Sequence, residues 1–292
     1  MKKITLLLTA LLITAISCNK IDTSNEVFRI IGPVEVTSWN PEYAKTVIQK
    51  IYMEEFTGHA CTYCPDGARI LKTLMDEDST IVATAIHCTY QANPGKFPFD
   101  KNYKTPMGDE ICEKFNISAL PKAMINRIEN GTNGWGFDRD DWRKTVAKID
   151  RNYIRAGIEL QCKVDETMQQ IEAQVSVTII KELKNPVQIC LVLQQDSIIS
   201  GQIDKGKEIP DYVHNHVLRA GFNGNYGTKL TPNGMVKEHL TYSTTFKLLY
   251  GNSFPNSFVP VVIKNCSVVA YLLDEVTKEV IQVEYVHLKQ AQ

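Results

Sequence analysis

Cys61 and Cys64, two cysteines separated by two residues, are the pair in this sequence whose type and spacing most directly allow chemistry. They follow a strand-like run and open a helix-like one, with Pro65 immediately after. At a helix N-terminus the dipole and the unpaired amides favour a thiolate. Cys61 therefore reads as a nucleophile that attacks a substrate disulfide, and Cys64 as the thiol that resolves the mixed disulfide. No second Cys-x-x-Cys and no His-x-x-x-His partner accompanies the pair, which argues against a zinc clip. No metal and no other cofactor is expected. The alternative is a permanently closed, purely structural disulfide on a domain without activity.

The elements that must position the pair alternate between strand and helix. Thr46 to Phe56 reads as a strand. Cys64 to Met75 reads as an amphipathic helix with Ala68, Leu71 and Leu74 on one side, and Ile81 to Ile86 as a buried strand. The polar, Pro-rich passage from Tyr90 to Pro106 is too long for a routine connection and reads as an insertion or a functional loop. Met107 to Phe115 predicts a helix, Lys122 to Arg127 a strand and Asp140 to Tyr153 a closing helix. The order is βαβ, insertion, αββα. From about Arg155 the pattern turns to strands, over Ala156 to Val164, Gln170 to Leu183, Val187 to Gln195, Val213 to Phe222, Leu240 to Tyr250, Ser257 to Asp274 and Glu279 to Leu288. Alternation such as Ile171, Ala173, Val175, Val177 and Ile179 marks one buried face. The expected fold class is an α/β domain followed by an all-β sandwich.

The stretch from Tyr52 to Pro65 resembles the thioredoxin-like superfamily. Glu55 lies six residues before Cys61, the spacing at which thioredoxins carry a buried carboxylate assisting proton transfer to the resolving cysteine. The resemblance gives Glu55 that role; the alternative points it to solvent beside Glu54. Ala119-Leu120-Pro121-Lys122 stands where these proteins have a cis-proline facing the dithiol, although X-Pro bonds are usually trans. His59, two before Cys61, would raise the thiolate fraction when protonated, or is a loop residue at the mouth of the site. Tyr63 lies between the cysteines and tunes the potential in a direction one sequence does not fix.

Cys88 and Cys112 flank the insertion and are candidate structural thiols: a disulfide that pins it, a second relay, or buried inert groups. Cys162, Cys190 and Cys266 lie in strand-like runs, where cysteine is often a small core residue. His214 and His216 would share one face of a strand, giving either hydrogen bonding or a weak metal site. Trp135, Trp142 and Phe137 are expected to seal the closing helix.

The chain begins Met1-Lys2-Lys3, and Ile4 to Ile16 is almost wholly apolar, ending in Ser17-Cys18. That is a signal peptide, too short to span a bilayer. Ala15, Ile16, Ser17 and Cys18 resemble the bacterial lipobox, which implies that Cys18 is acylated and anchors the mature chain to a membrane. With 33 acidic and 32 basic side chains there is no electrostatic footprint for nucleic acid. Of the eight cysteines, Cys18 goes to lipid and Cys61 pairs with Cys64, so an odd set is left and at least one thiol stays free or bonds elsewhere.

Two strings, Glu54 to Gly67 and Asp211 to Ala220, together resemble the outer membrane protein 28 family of Bacteroidota lipoproteins, over most of the chain from about Lys45. The resemblance implies residues 1–17 as signal peptide, 18–43 as lipidated tether, 44–154 as a thioredoxin-like domain and 155–292 as an immunoglobulin-like β-sandwich. It implies an outer-membrane location with either face open, and brings no catalytic mechanism with it. The expected function is thiol-disulfide exchange on exported proteins carrying thiols or disulfides. The alternative is a non-enzymatic surface binding protein, a receptor or adhesin. The oligomeric state stays open.

Overall fold

A computed structural model describes residues 29–131, 134–250 and 259–289. The signal sequence and Cys18 lie outside the described residues. Two short strands, β1 (Arg29–Ile31) and β2 (Glu35–Ser38), precede helix α1 (Pro41–Thr46). Then come β3 (Ile51–Thr57), α2 (Cys64–Glu77), β4 (Ile81–His87), α3 (Pro106–Lys114), β5 (Lys122–Ile125), β6 (Phe137–Asp138) and α4 (Trp142–Val146). Apart from short 3-10 turns, the later elements are strands: β7 (Ala156–Asp165), β8 (Gln170–Ile179), β9 (Val187–Gln195), β10 (Ile198–Asp204), β11 (Lys207–His214), β12 (Val217–Gly221), β13 (Thr228–Lys229), β14 (Leu240–Leu249), β15 (Cys266–Asp274) and β16 (Val280–His287). The fold is mixed α/β with sheet dominant.

β3 and β4 run parallel, as a crossover through α2 requires, whereas β5 pairs antiparallel with β3 and β6 with β5. Every residue of β3 and β4 is buried. Their two faces are covered separately, one by Leu71 and Leu74 of α2 with Trp142 of α4, the other by Met107 and Ile111 of α3. Uninterrupted apolar runs such as Ile81 to Ile86 are what a strand covered on both faces needs.

The sheet does not stop at residue 154. Its order is β16-β15-β9-β12-β4-β3-β5-β6, with β13 on β9. β12 joins the halves by pairing antiparallel with β9 and parallel with β4, and the Ala85 amide donates to the His216 carbonyl at 2.7 Å. A second sheet, β1-β14-β8-β7 with β2 also on β14, packs on the β9, β12 and β15 end through Val175, Phe246, Leu191, Leu193, Ala220 and Val268. β10 and β11 form a separate hairpin.

Several boundaries differ from the sequence-based expectations. Thr46 ends α1 instead of starting a strand, because Asn40 accepts from the Glu42 amide at 3.0 Å and Pro41 opens the turn. Residues 29–38, expected in the tether, pair with β14. The closing helix is confined to Trp142–Val146. The expected strand Val213 to Phe222 is broken at His216, whose φ is +57° and whose amide donates to Asp196 at 2.6 Å. No helix among the described residues is long and apolar enough to cross a membrane.

Candidate functional site

Cys61 and Cys64 are joined by a disulfide, with Cα atoms 5.4 Å apart. The loop after β3 turns so that the Cys61 amide donates to Gly58 O and the Cys64 amide to Cys61 O, which brings Cys64 to the first residue of α2. Pro65 follows at a position where its missing N–H costs nothing.

Glu54 and Glu55 are both buried, on opposite faces of β3, so neither faces solvent. Glu54 accepts two hydrogen bonds from Arg127, each 2.6 Å, in an ion pair that the sequence reading missed. Glu55 Oε1 has no hydrogen-bond partner among the described residues, and burial pushes its carboxyl up to about 8. Glu55 is therefore mostly neutral near pH 7.

The Leu120–Pro121 peptide is cis. Glu55, Pro121 and Trp142 converge on Gly67 in α2. A Cβ there would stand 3.1 Å from Glu55 Oε1, 3.2 Å from Pro121 Cβ and 3.0 Å from the Trp142 ring. Only glycine lets the helix carrying Cys64 approach this closely. Trp142 also donates to Phe137 O at 3.0 Å, while Trp135 packs edge-on to Phe115 on the other face. The aromatic residues thus serve two layers, not one helix.

The dithiol is covered. Cys61 is 1% and Cys64 2% exposed, beneath the β10-β11 hairpin. Gln202 donates to Cys61 O at 3.1 Å and Gly58 O at 3.3 Å. The amides of Ile203 and Lys205 donate to His59 O and Thr62 O, each at 2.9 Å. Arg69 of α2 clasps Asp204 at 2.9 Å. His59 is buried, with Nε2 2.9 Å from Asn93 O, and burial lowers its pKa. It is therefore neutral at pH 7 and supplies no positive charge to Cys61. Tyr63 is half exposed, with Arg139 over its ring at 5.2 Å.

Between α2 and the hairpin lies a cavity of about 480 Å³, lined by Glu55, Cys64, His87, Tyr212, His214 and His216 among others. His87 and His214 stand 5.6 Å apart, ring to ring, and Tyr103 packs against both. Both nitrogens of His87 and Nε2 of His214 lack partners among the described residues. Burial keeps the imidazoles neutral, holding His214 down at about 4 and His87 well below its ordinary value. No group of three or more His, Cys, Asp or Glu among the described residues is arranged to hold a metal. Tyr212 to His216, within the string Asp211 to Ala220, thus form one wall of the dithiol's own cavity, a meeting that sequence distance concealed.

Cys88 and Cys112 lie with their sulfurs 2.8 Å apart. Cys162, Cys190 and Cys266 sit in β7, β9 and β15, and burial pushes each thiol up to about 12.

A family model described as outer membrane protein Omp28 matches residues 109–292. The match takes in Pro121 and the Asp211 to Ala220 string but begins after the Cys61–Cys64 pair. Among solved structures, HBP35 of Porphyromonas gingivalis shares the fold, with a TM-score of 0.57 and 15% identity over 85% of this chain and 77% of that one. A domain of the outer membrane lipoprotein Omp28 from the same organism aligns at 22% identity, with a TM-score of 0.31, over 48% of this chain and 93% of that one. No curated protein matches. The chain belongs to the outer membrane protein Omp28 family, and its place is the outer membrane of the cell envelope.

Proposed function

We propose that this protein is an outer-membrane lipoprotein whose thioredoxin-like segment, residues 44–154, exchanges thiols and disulfides with exported proteins. An immunoglobulin-like segment, residues 155–292, presents or binds the partner, and acylated Cys18 is the anchor. The observation that carries this reading is the convergence of the Cys61–Cys64 pair, buried Glu55 and cis-Pro121 at the first turns of α2.

In the reduced state the Cys61 thiolate attacks a substrate disulfide. One substrate sulfur bonds to Cys61, and the other leaves and takes up a proton. Cys64, lining the same cavity as Glu55, gives its proton to the ionised fraction of that carboxyl and attacks the Cys61 sulfur. The mixed disulfide breaks, the second substrate sulfur leaves as a thiolate and takes up a proton from solvent, and the pair closes as found here. Cys61, Cys64, Glu55 and Pro121 carry the chemistry in this reading.

The burial of both sulfurs under the hairpin favours a second reading, a non-enzymatic surface receptor or adhesin that uses the fold as a scaffold. The two separate in one assay. Reduction of insulin by the full chain in detergent should fall to background in Cys61→Ser, and equal rates in both proteins would end the enzyme reading. Cys18→Ser should move the protein from the membrane fraction to the soluble one.

A further inference from the structure

Cys88 directly follows β4 and Cys112 lies in α3, so the two bracket the insertion of residues 89–105. Both are fixed by surrounding elements. The Cys88 amide donates to Thr57 O at 3.1 Å, and the Thr105 hydroxyl caps α3 by accepting from the Gly108 amide at 2.9 Å. Their sulfurs share a hydrogen bond at 2.8 Å, within about 1 Å of the ~2.05 Å of a covalent S–S bond. The pair is asymmetric. Cys88 is fully buried, whereas Cys112 is 7% exposed at the floor of a groove of about 320 Å³ lined by Thr89, Lys104, Asp109, Glu113 and Asn116. Cys112 is the sulfur that the groove reaches, and the hydrogen bond shared with Cys88 lowers its pKa while raising that of Cys88, so Cys112 is the first of the two to ionise.

We propose that Cys88 and Cys112 are a second dithiol-disulfide couple, closed by exchange with an organic disulfide that reaches Cys112 through this groove. The Cys112 thiolate attacks one sulfur of the incoming R–S–S–R. That bond breaks, and the departing R–S⁻ takes a proton from solvent, replacing the one Cys112 had released. Cys88, 2.8 Å away, then loses its proton and attacks the Cys112 sulfur, expelling the second R–S⁻, which is protonated in turn. Two protein thiols become one disulfide, and R–S–S–R becomes two R–SH.

The couple fastens the insertion beside the first dithiol. The Ala60 amide donates to Gln91 O, and the Gly201 amide of the covering hairpin to Pro98 O, each at 2.9 Å. Closing Cys88 to Cys112 therefore stiffens a wall shared by the Cys61 loop and its cover. The proposal rests on the placement of these two sulfurs and not on turnover at Cys61.

The test uses the full chain in detergent, reduced, freed of reductant while folded, and treated with hydroxyethyl disulfide. The protein is then denatured in excess alkylating agent and peptide-mapped without reduction. The expected product is a Cys88 peptide disulfide-bonded to a Cys112 peptide, formed equally in wild type and in Cys61→Ser/Cys64→Ser, so failure at Cys61 is read separately. In Cys88→Ser the mercaptoethanol adduct should build up on Cys112 more than about tenfold faster than on Cys88 in Cys112→Ser. Separately alkylated Cys88 and Cys112 in treated wild type would overturn the couple, and equal adduct rates would overturn the assigned order of attack.

Discussion

At the scale of single residues, Glu55 carries the most informative acidity. Burial alone raises its carboxyl from 4.5 to about 8. The folded protein thus keeps a proton that the unfolded chain has lost throughout that window. The contribution of this group to stability is complete below pH 4.5 and falls as pH rises through 8, by on the order of 5 kcal/mol in all. His87 and His214 act in the opposite sense, since burial lowers both; the stability tied to their neutral forms is present above pH 6.5 and is lost in acid. Subtracting the Glu55→Gln variant isolates the carboxyl. Urea midpoints measured at about pH 5, 7 and 9 should show wild type losing ground to Glu55→Gln as pH rises. Parallel curves would mean that Glu55 ionises normally in the folded state. The same variant should slow insulin reduction, because the Cys64 proton then lacks its acceptor.

At the scale of elements, the β10-β11 hairpin decides access. It holds the Cys61 loop by backbone pairing and by Gln202, whose amide group reaches Cys61 O, Gly58 O and Ile203 O. Gln202→Ala removes the side-chain hydrogen bonds that tie the hairpin to the loop, each worth about 0.5–1.5 kcal/mol net, while Gly58 O and Cys61 O keep their backbone donors; the loss falls on the closed position of the hairpin. Reduction of the Cys61–Cys64 bond by a phosphine should accelerate about tenfold or more; an unchanged rate would mean that the hairpin does not limit access. This element was also the least legible. The Cys-x-x-Cys motif, the βαβ order and the position of Pro121 could be read locally, because each depends on its own neighbours. Ile198–Asp204 did not read as a strand, because Ser200, Gly201 and Gln202 interrupt its apolar pattern. Those residues are buried against Pro98, Gly58 and Cys61, partners far away in sequence. Pro210 similarly obscured β11, although Lys205-Gly206, both at positive φ, are suited to a tight hairpin turn. The ion pair of Glu54 was hidden for the same reason, since its partner follows β5.

At the scale of the whole molecule, the two segments distinguished by periodicity share one sheet and one core. Tyr271 of β15 accepts from Arg127 at 3.2 Å and stacks on Tyr52 of β3 at 4.8 Å. Thr84 of β4 donates to Gln194 of β9 at 2.9 Å, and the Val280 amide to Asn126 O at 2.8 Å. Separating the segments would strand Glu54 and Arg127, both about 1% exposed, against a broken core and leave β4 with an open edge. Unfolding should therefore be one transition. The chain offers a direct check, since its three tryptophans, Trp39, Trp135 and Trp142, all precede residue 155 while most strands follow it. Trp39 stacks on His239 beside β14, so in a Trp39→Phe background tryptophan fluorescence follows the first segment through Trp135 and Trp142, and far-ultraviolet circular dichroism is weighted towards the second. Their urea curves should coincide. Arg127→Ala, which leaves Glu54 as an uncompensated buried charge, should shift both curves together by about 3–5 kcal/mol, and Glu54→Leu/Arg127→Met should recover much of that loss. If fluorescence changed well before circular dichroism, or if Arg127→Ala moved only one curve, the segments would be separate folding units that merely touch along β4 and β12. The cover over Cys61 would then depend on how they dock. Coincident curves instead make the hairpin, the cavity and the dithiol parts of a single folded body.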